Sequence, residues 1–85
     1  MKYKIIITHT AEKRLNQLTK RNYDLVVKVI YSLADNPYQP GTKKLQGVEG
    51  VYRVRAGNYR ILYRVSNGEL TVTVIKIGDR KDVYN

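Results

Sequence analysis

Residues 51–63, VYRVRAGNYRILY, are the stretch that decides the fold. Apolar and basic residues alternate along it, and Gly57-Asn58 supplies a turn signal between its two halves. A β-strand turns successive side chains to opposite faces, so the alternation predicts that Arg53 and Arg55 share one face. Cations fixed on a rigid sheet suit a polyanion, which makes the RNA backbone the first partner to consider.

Three consecutive strands are predicted from this stretch onward, over residues 51–56, 59–66 and 70–77. Asn67-Gly68 is the turn signal between the last two. Upstream, Lys2–Thr8 is short, β-branched and apolar, which is typical of a further strand.

Two helices are predicted between the first strand and residue 36. Thr10 can cap the first helix, Asn22 or Asp24 opens the second, and Asn36-Pro37 ends it. Apolar residues recur on one face of each helix, at Ala11, Leu15 and Leu18 and at Leu25, Val26, Val29, Ile30 and Leu33. Residues 36–50 hold both prolines and form a connecting loop. The element order is therefore β-α-α-β-β-β, which predicts an α+β fold with a helical hairpin on one face of an antiparallel sheet.

Composition narrows the class of protein. The 85 residues suffice for one domain, spanning residues 1–85, and 16 basic against 7 acidic residues give a net charge of +9. Such an excess favours nucleic acid or an acidic protein as partner. There is no cysteine, no signal peptide and no apolar run of membrane-spanning length, so we expect a cytoplasmic protein without a membrane partner.

The groups that serve most enzyme classes are missing from the sequence. His9 is the single histidine, at the first strand-to-helix junction, where a capping or surface role outweighs a catalytic one. No cluster of ligands predicts a metal site, and no glycine-rich loop predicts a nucleotide cofactor, so we expect neither metal nor cofactor. Arginine, lysine and tyrosine remain. They suit RNA cleavage by transesterification, in which arginine forks stabilise the charge of a phosphorane.

Three motifs carry a resemblance to a known family. They are the K-L-x-G segment (Lys44, Leu45, Gly47), the Y-R-[IL]-[LV]-Y strand over residues 59–63, and the G-x-R-x-x-[VI]-Y ending (Gly78, Arg80, Val83, Tyr84). In this order and spacing the chain resembles the RelE/ParE superfamily of toxins from bacterial toxin–antitoxin pairs, over nearly its whole length. The resemblance implies the RelE-like microbial ribonuclease type of fold.

The RelE branch of that superfamily cleaves mRNA on the ribosome, whereas ParE-like members inhibit DNA gyrase. By position, the resemblance implies five catalytic residues, Arg53, Arg55, Arg60, Arg80 and Tyr84. Lys43 and Lys44, in a flexible loop, are candidates for contacts with ribosomal RNA, and Arg64 and Lys81 are further candidates for binding RNA or the ribosome. Arg64 is alternatively a solvated cation or one that contacts the antitoxin. Because all five catalytic positions hold suitable residues, the resemblance favours the RelE branch, with Tyr84 as the deciding residue.

Several roles stay open at this point. Arginine does not give up its proton, so Arg53 and Arg55 are interpreted as phosphate clamps and not as general bases. Tyr84 serves either as a base or as a surface on which a nucleobase stacks. Asp79 is either a base or, with more weight, an ion-pair partner. Three tyrosines, Tyr52, Tyr59 and Tyr63, are expected to be packing residues rather than catalytic ones.

The resemblance also implies partners: a cognate antitoxin, the 70S ribosome and mRNA. The lead hypothesis is a ribosome-dependent mRNA endoribonuclease of a toxin–antitoxin pair. The alternatives are a non-enzymatic gyrase inhibitor of the ParE type and an inactive member that only binds its antitoxin.

Overall fold

Two helices cover one face of a five-stranded sheet in the computed structural model, which describes residues 2–79. The sheet order is β1-β5-β4-β3-β2. In chain order the elements are β1 (Lys4–Ile7), α1 (His9–Leu15), α2 (Lys20–Ser32), β2 (Lys43–Lys44), β3 (Val51–Ala56), β4 (Tyr59–Ser66) and β5 (Thr71–Asp79). Among the described residues, neither helix has the length and apolar character needed to cross a bilayer.

The predicted α+β fold with its helical hairpin is confirmed, and β3 and β4 have the predicted bounds. The prediction of a wholly antiparallel sheet is wrong at one edge, because β1 pairs with β5 in parallel. Parallel neighbours need a long crossover, and here both helices and the other strands lie between β1 and β5. Residue alternation is the same in parallel and antiparallel strands, so the sequence pattern does not reveal this direction.

Both helices begin earlier than predicted. Thr8 caps α1 by accepting a hydrogen bond from the Ala11 N–H at 3.2 Å, and Thr19 caps α2 through the Asn22 N–H at 3.4 Å. The predicted caps Thr10, Asn22 and Asp24 all lie inside the helices. A cap residue must have extended backbone, and Thr8 and Thr19 do, with ψ of 159° and 160°.

The Thr8 hydroxyl has a second role at a β-bulge. The register of β4 against β5 shifts between Leu62 and Tyr63, which leaves Ile75 as an extra residue in β5. A bulged residue leaves the ladder, so its carbonyl needs another donor. Thr8 Oγ1 donates to the Ile75 carbonyl at 3.0 Å, which ties the start of α1 to β5.

The core lies between the helices and the inner face of the sheet. Its fully buried residues include Val26 and Ile30 from α2 and Ile61 and Tyr63 from β4, all with 0% exposure. In the part of the chain that the structure describes, both helices pack on this one face, and the alternate residues of β3 and β4 form an outer face.

The segment predicted as a loop contains a strand. Lys43 and Lys44 form β2 against β3, at the sheet edge, so they do not lie in a flexible loop. Two hydrogen bonds anchor the preceding turn to β4 and α2: Tyr63 Oη donates to the Pro37 carbonyl at 2.5 Å, and Gln39 Nε2 donates to Ser32 Oγ at 3.0 Å. The turn thereby fixes where β2 meets the sheet.

Tyr63→Phe should destabilise the protein by about 1–3 kcal/mol at pH 7, because the buried Pro37 carbonyl loses its donor. Burial raises the pKa of the Tyr63 hydroxyl above its ordinary value of 10.0, and a hydrogen bond with Thr42 offsets part of that rise. The unfolded chain therefore ionises Tyr63 first. The contribution of the protonated Tyr63 hydroxyl to stability is complete below about pH 10. It is lost as the pH rises toward the pKa of Tyr63 in the folded protein.

Urea unfolding of the wild type and of Tyr63→Phe at pH 7 and pH 10.5 measures the difference in their free energies of unfolding. This difference should be smaller at the higher pH. Tyr31→Phe is the matched control, since Tyr31 is 57% exposed. Equal stability of Tyr63→Phe and the wild type at pH 7 contradicts the prediction.

Candidate functional site

The outer face of the sheet carries two pairs of like charges. Cross-strand partners share a face. Arg55 of β3 lies directly opposite Arg60 of β4, and Lys43 of β2 lies directly opposite Arg53 of β3. Like charges in such positions repel and lower the stability of the sheet. This arrangement favours an anion that binds between the strands.

These four cations line one cleft of about 350 Å³, together with Gly41. None of its described lining residues is acidic. Within residues 2–79, Arg53 and Arg55 have no carboxylate partner, and ion pairs form elsewhere, as between Lys20 and Asp24 at 3.1 Å. The cleft is therefore a concentration of positive charge on a rigid sheet, suited to phosphate oxygens.

Three of the five predicted catalytic residues, Arg53, Arg55 and Arg60, thus come together in space. The other two, Arg80 and Tyr84, lie outside the described residues, as does Lys81. The structure consequently gives a geometry for the arginines of the two central strands and leaves the roles of the C-terminal residues as predictions.

The remaining predicted RNA contacts separate into two positions. Lys43 belongs to the cleft. Lys44 lies opposite Tyr52, a residue of the inner face, and borders an adjoining groove of about 480 Å³ at the sheet edge with Lys43 and Arg53. Arg64 is exposed on the same face as Arg60 but lies opposite Val51, and it is not part of the cleft lining. The basic surface therefore extends beyond the cleft on two sides.

Asp79 faces away from the cleft. It lies opposite Tyr59, a residue of the inner face, whereas Gly78 lies opposite Arg60. The Asp79 side chain therefore shares the helical side of the sheet, which argues against the role of general base that the sequence left open. Gly78 is buried and adds no side chain beside Arg60.

The three tyrosines of β3 and β4 are packing residues, as predicted. Tyr52 stacks on Tyr63 with ring centroids 6.0 Å apart, and Tyr38 meets Tyr52 edge-on at 5.3 Å. The Tyr59 hydroxyl accepts a hydrogen bond from Asn22 Nδ2 at 3.5 Å, between β4 and α2. All three point to the inner face, opposite the arginines.

Two neighbours of the arginines were missed in the sequence. Gly41, with a φ of +92°, lines the cleft, and Asn58 lines a smaller pocket beside Arg55 and Arg60. The turn signal Gly57-Asn58 contained the second, since a two-residue hairpin turn places its residues next to the last cross-strand pair. Gly41 had no comparable signal, because its position depends on β2.

Comparisons with known proteins support the relationship that the motifs indicated. A family model described as the ParE toxin of a type II toxin–antitoxin system, parDE, matches residues 4–84. The toxin RelG of Mycobacterium tuberculosis is 31% identical over 85 residues, which cover 99% of this chain and 98% of that protein. The toxin RelE of the same organism is 30% identical over 83 residues, covering 96% and 86%.

Solved structures share the fold over similar lengths. The RelE–RelB complex of Pyrococcus horikoshii contains a chain that superposes with a TM-score of 0.84 at 26% identity, covering 98% of this chain and 100% of that one. The RelBE2 toxin–antitoxin complex of Mycobacterium tuberculosis gives a TM-score of 0.83 at 28% identity, covering 94% and 100%. Since the family model and these relatives span nearly all of the sequence, the chain belongs to the RelE/ParE superfamily of toxins from type II toxin–antitoxin systems.

Proposed function

We propose that this toxin is a ribosome-dependent endoribonuclease that cleaves mRNA in the ribosomal A site and thereby inhibits translation. The observation that carries the proposal is the pairing of Lys43 with Arg53 and of Arg55 with Arg60 around one cleft. Two opposed pairs of like charges lower the stability of the sheet in the absence of a ligand. A phosphate backbone offsets that repulsion, which is the behaviour of a site built for charge stabilisation.

The proposed reaction is a transesterification that needs no metal ion. The 2′-hydroxyl loses its proton and attacks the adjacent phosphorus, the bond to the 5′-oxygen breaks, and that oxygen takes up a proton. The products are a 2′,3′-cyclic phosphate and a 5′-hydroxyl. Arg53, Arg55 and Arg60, with Arg80, hold the phosphate oxygens and stabilise the charge of the phosphorane. Tyr84 moves a proton or stacks on the nucleobase.

The ribosome supplies the geometry of the substrate in this proposal. Orientation alone contributes a large part of many enzymatic rates, and a partner that holds the mRNA strand in place provides it. Lys44 and Arg64 extend the basic surface beyond the cleft, where they are proposed to contact ribosomal RNA. Lys81 is a further proposed contact with RNA or the ribosome. The 70S ribosome and mRNA are therefore the proposed targets, and the cytoplasm is the proposed location.

We propose a cognate antitoxin as the other partner. The solved relatives from Pyrococcus horikoshii and Mycobacterium tuberculosis are toxin–antitoxin complexes. An acidic segment of an antitoxin complements the basic cleft, and covering Arg53 and Arg55 blocks access to RNA. Binding should weaken with salt, as expected for charge complementarity.

Inhibition of DNA gyrase is the second candidate, because the matching family model is that of the ParE toxin. Purified toxin added to ribosomes translating a defined mRNA, and separately to a gyrase supercoiling reaction, distinguishes the two functions. We expect codon-phased mRNA cuts and unchanged supercoiling. Loss of supercoiling with intact mRNA would falsify the ribonuclease proposal. The same mRNA without ribosomes shows whether cleavage depends on the ribosome.

A further inference from the structure

A small pocket lies at the β3–β4 turn, next to the cleft. It measures about 50 Å³ and is lined by Arg55, Gly57, Asn58 and Arg60. One water molecule needs about 10–15 Å³, so this pocket admits a group of a few heavy atoms, about the size of a phosphate. The cleft of about 350 Å³ is several times larger. We refer to the small one as the turn pocket.

Arg55 and Arg60 line both spaces. They lie directly opposite each other on neighbouring strands, which are about 4.8 Å apart, so their two positive charges stand between the cleft and the turn pocket. A guanidinium has five N–H donors in a planar fork and can serve anions on both sides. None of the described residues that line either space is acidic.

Asn58 contributes neutral donors to the turn pocket. It is exposed, and its side-chain amide carries two N–H donors that suit phosphate oxygens. Gly57 has a separate explanation. Its φ of +64° fits the hairpin turn, and a Cβ there would lie 2.7 Å from Leu25 Cδ2. Recognition at the turn pocket therefore depends on Asn58 and the two arginines.

We propose that the turn pocket is a second phosphate subsite, which binds the phosphate next to the one held in the cleft. The inference rests on the proposed function, in which the cleft holds the phosphate that is cleaved. Arg55 and Arg60 then bridge two successive phosphates of one strand, and Asn58 contacts only the second. The ligand that this site recognises is thus a strand with at least two phosphates in sequence, and a single nucleotide fills only part of it.

The test uses deoxydinucleotides, which lack the 2′-hydroxyl and are therefore not cleaved. Three forms are compared: one without a terminal phosphate, one with a 5′-phosphate and one with a 3′-phosphate. Dissociation constants come from ¹⁵N NMR titration of the full chain without ribosomes. We expect one of the two terminal phosphates to tighten binding by about tenfold, the effect of one hydrogen bond to a charged group. The terminal phosphate that tightens binding, at the 5′ or the 3′ end, shows in which direction the nucleic-acid strand runs from the cleft to the turn pocket.

Asn58→Asp places a carboxylate in the turn pocket and should abolish the gain from the terminal phosphate. Asn58→Ala, which adds no charge, should reduce the gain. Gln17→Glu is the matched control, since it makes the same amide-to-carboxylate change in the exposed α1–α2 connection, on the helical side of the sheet. It should retain the gain.

The inference is overturned if neither terminal phosphate tightens binding to the wild type. It is also overturned if Asn58→Asp and Gln17→Glu show the same gain. Because no ribosome is present, these outcomes are independent of mRNA cleavage. A toxin that leaves ribosome-bound mRNA intact but shows the Asn58-dependent gain refutes the proposed function and retains the phosphate subsite.

Discussion

Arg55→Gln should lower the rate of ribosome-dependent mRNA cleavage by about 10²–10³-fold, the usual effect of removing one donor that stabilises transition-state charge. Arg55 lines both the cleft and the turn pocket, so its loss affects the phosphate at the reacting centre and the one beside it. Single-turnover cleavage of a defined mRNA on the ribosome measures the rate. Lys28→Gln removes an exposed charge from α2, on the other side of the sheet, and should leave the rate unchanged.

The same substitution should make the free protein more stable. Arg55 faces Arg60, and relief of repulsion between opposed like charges is worth about 0.2–1 kcal/mol. For a domain of this size, 1 kcal/mol shifts the Tm by about 4–8 °C, so the expected rise is a few degrees. Arg64→Gln is the stability control, because Arg64 lies opposite Val51 and Thr73.

High salt screens the repulsion and should shrink the Tm difference between Arg55→Gln and the wild type. If the Tm of Arg55→Gln is no higher than that of Arg64→Gln, the predicted repulsion between Arg55 and Arg60 is contradicted. Cleavage at the wild-type rate by Arg55→Gln contradicts the proposed site. The two readouts are separate, so a less stable variant cannot be mistaken for an inactive site.

Ile61→Ala should destabilise the protein by about 2–5 kcal/mol, the range for removing a buried isoleucine side chain down to alanine. Ile61 is 0% exposed and lies on the inner face of β4, directly after Arg60. A domain of this length has a total stability of about 4–13 kcal/mol at 0.05–0.15 kcal/mol per residue, so the loss is a large fraction of it. Urea unfolding followed by circular dichroism measures the change.

Ile61→Val is the matched variant and should cost only about 0.5–1.5 kcal/mol. It keeps the branched side chain, and Arg60 should keep its place opposite Arg55, so mRNA cleavage per folded molecule should equal that of the wild type. An Ile61→Ala protein as stable as Ile61→Val would show that the inner face of β4 is not the centre of the core.

Local patterns predicted the centre of the molecule well. The alternation in residues 51–66 predicted both strands with their correct bounds, and Gly57-Asn58 predicted the turn between them, so the sequence places Arg53 and Arg55 correctly on one face. The helical hairpin followed from the spacing of apolar residues. These predictions succeed because each rests on contacts between residues close in the sequence.

The errors lie where distant residues meet. The parallel direction of β1 depends on its docking against β5, and the caps at Thr8 and Thr19 depend on where the chain leaves the preceding element. β2 has only two residues, too short for any periodic signal, and the turn before it is held at Pro37 by Tyr63, 26 residues further along the chain.

The sequence by itself determined that this protein is a basic α+β domain with arginines on one strand face, because strand alternation and charge are properties of consecutive residues. Its motifs also identified the family. Tertiary structure alone decided that Lys43 faces Arg53, that Asp79 turns away from the cleft, and that Asn58 borders a second pocket. Each of these depends on the register between strands, which is set by how the helices, turns and sheet pack together.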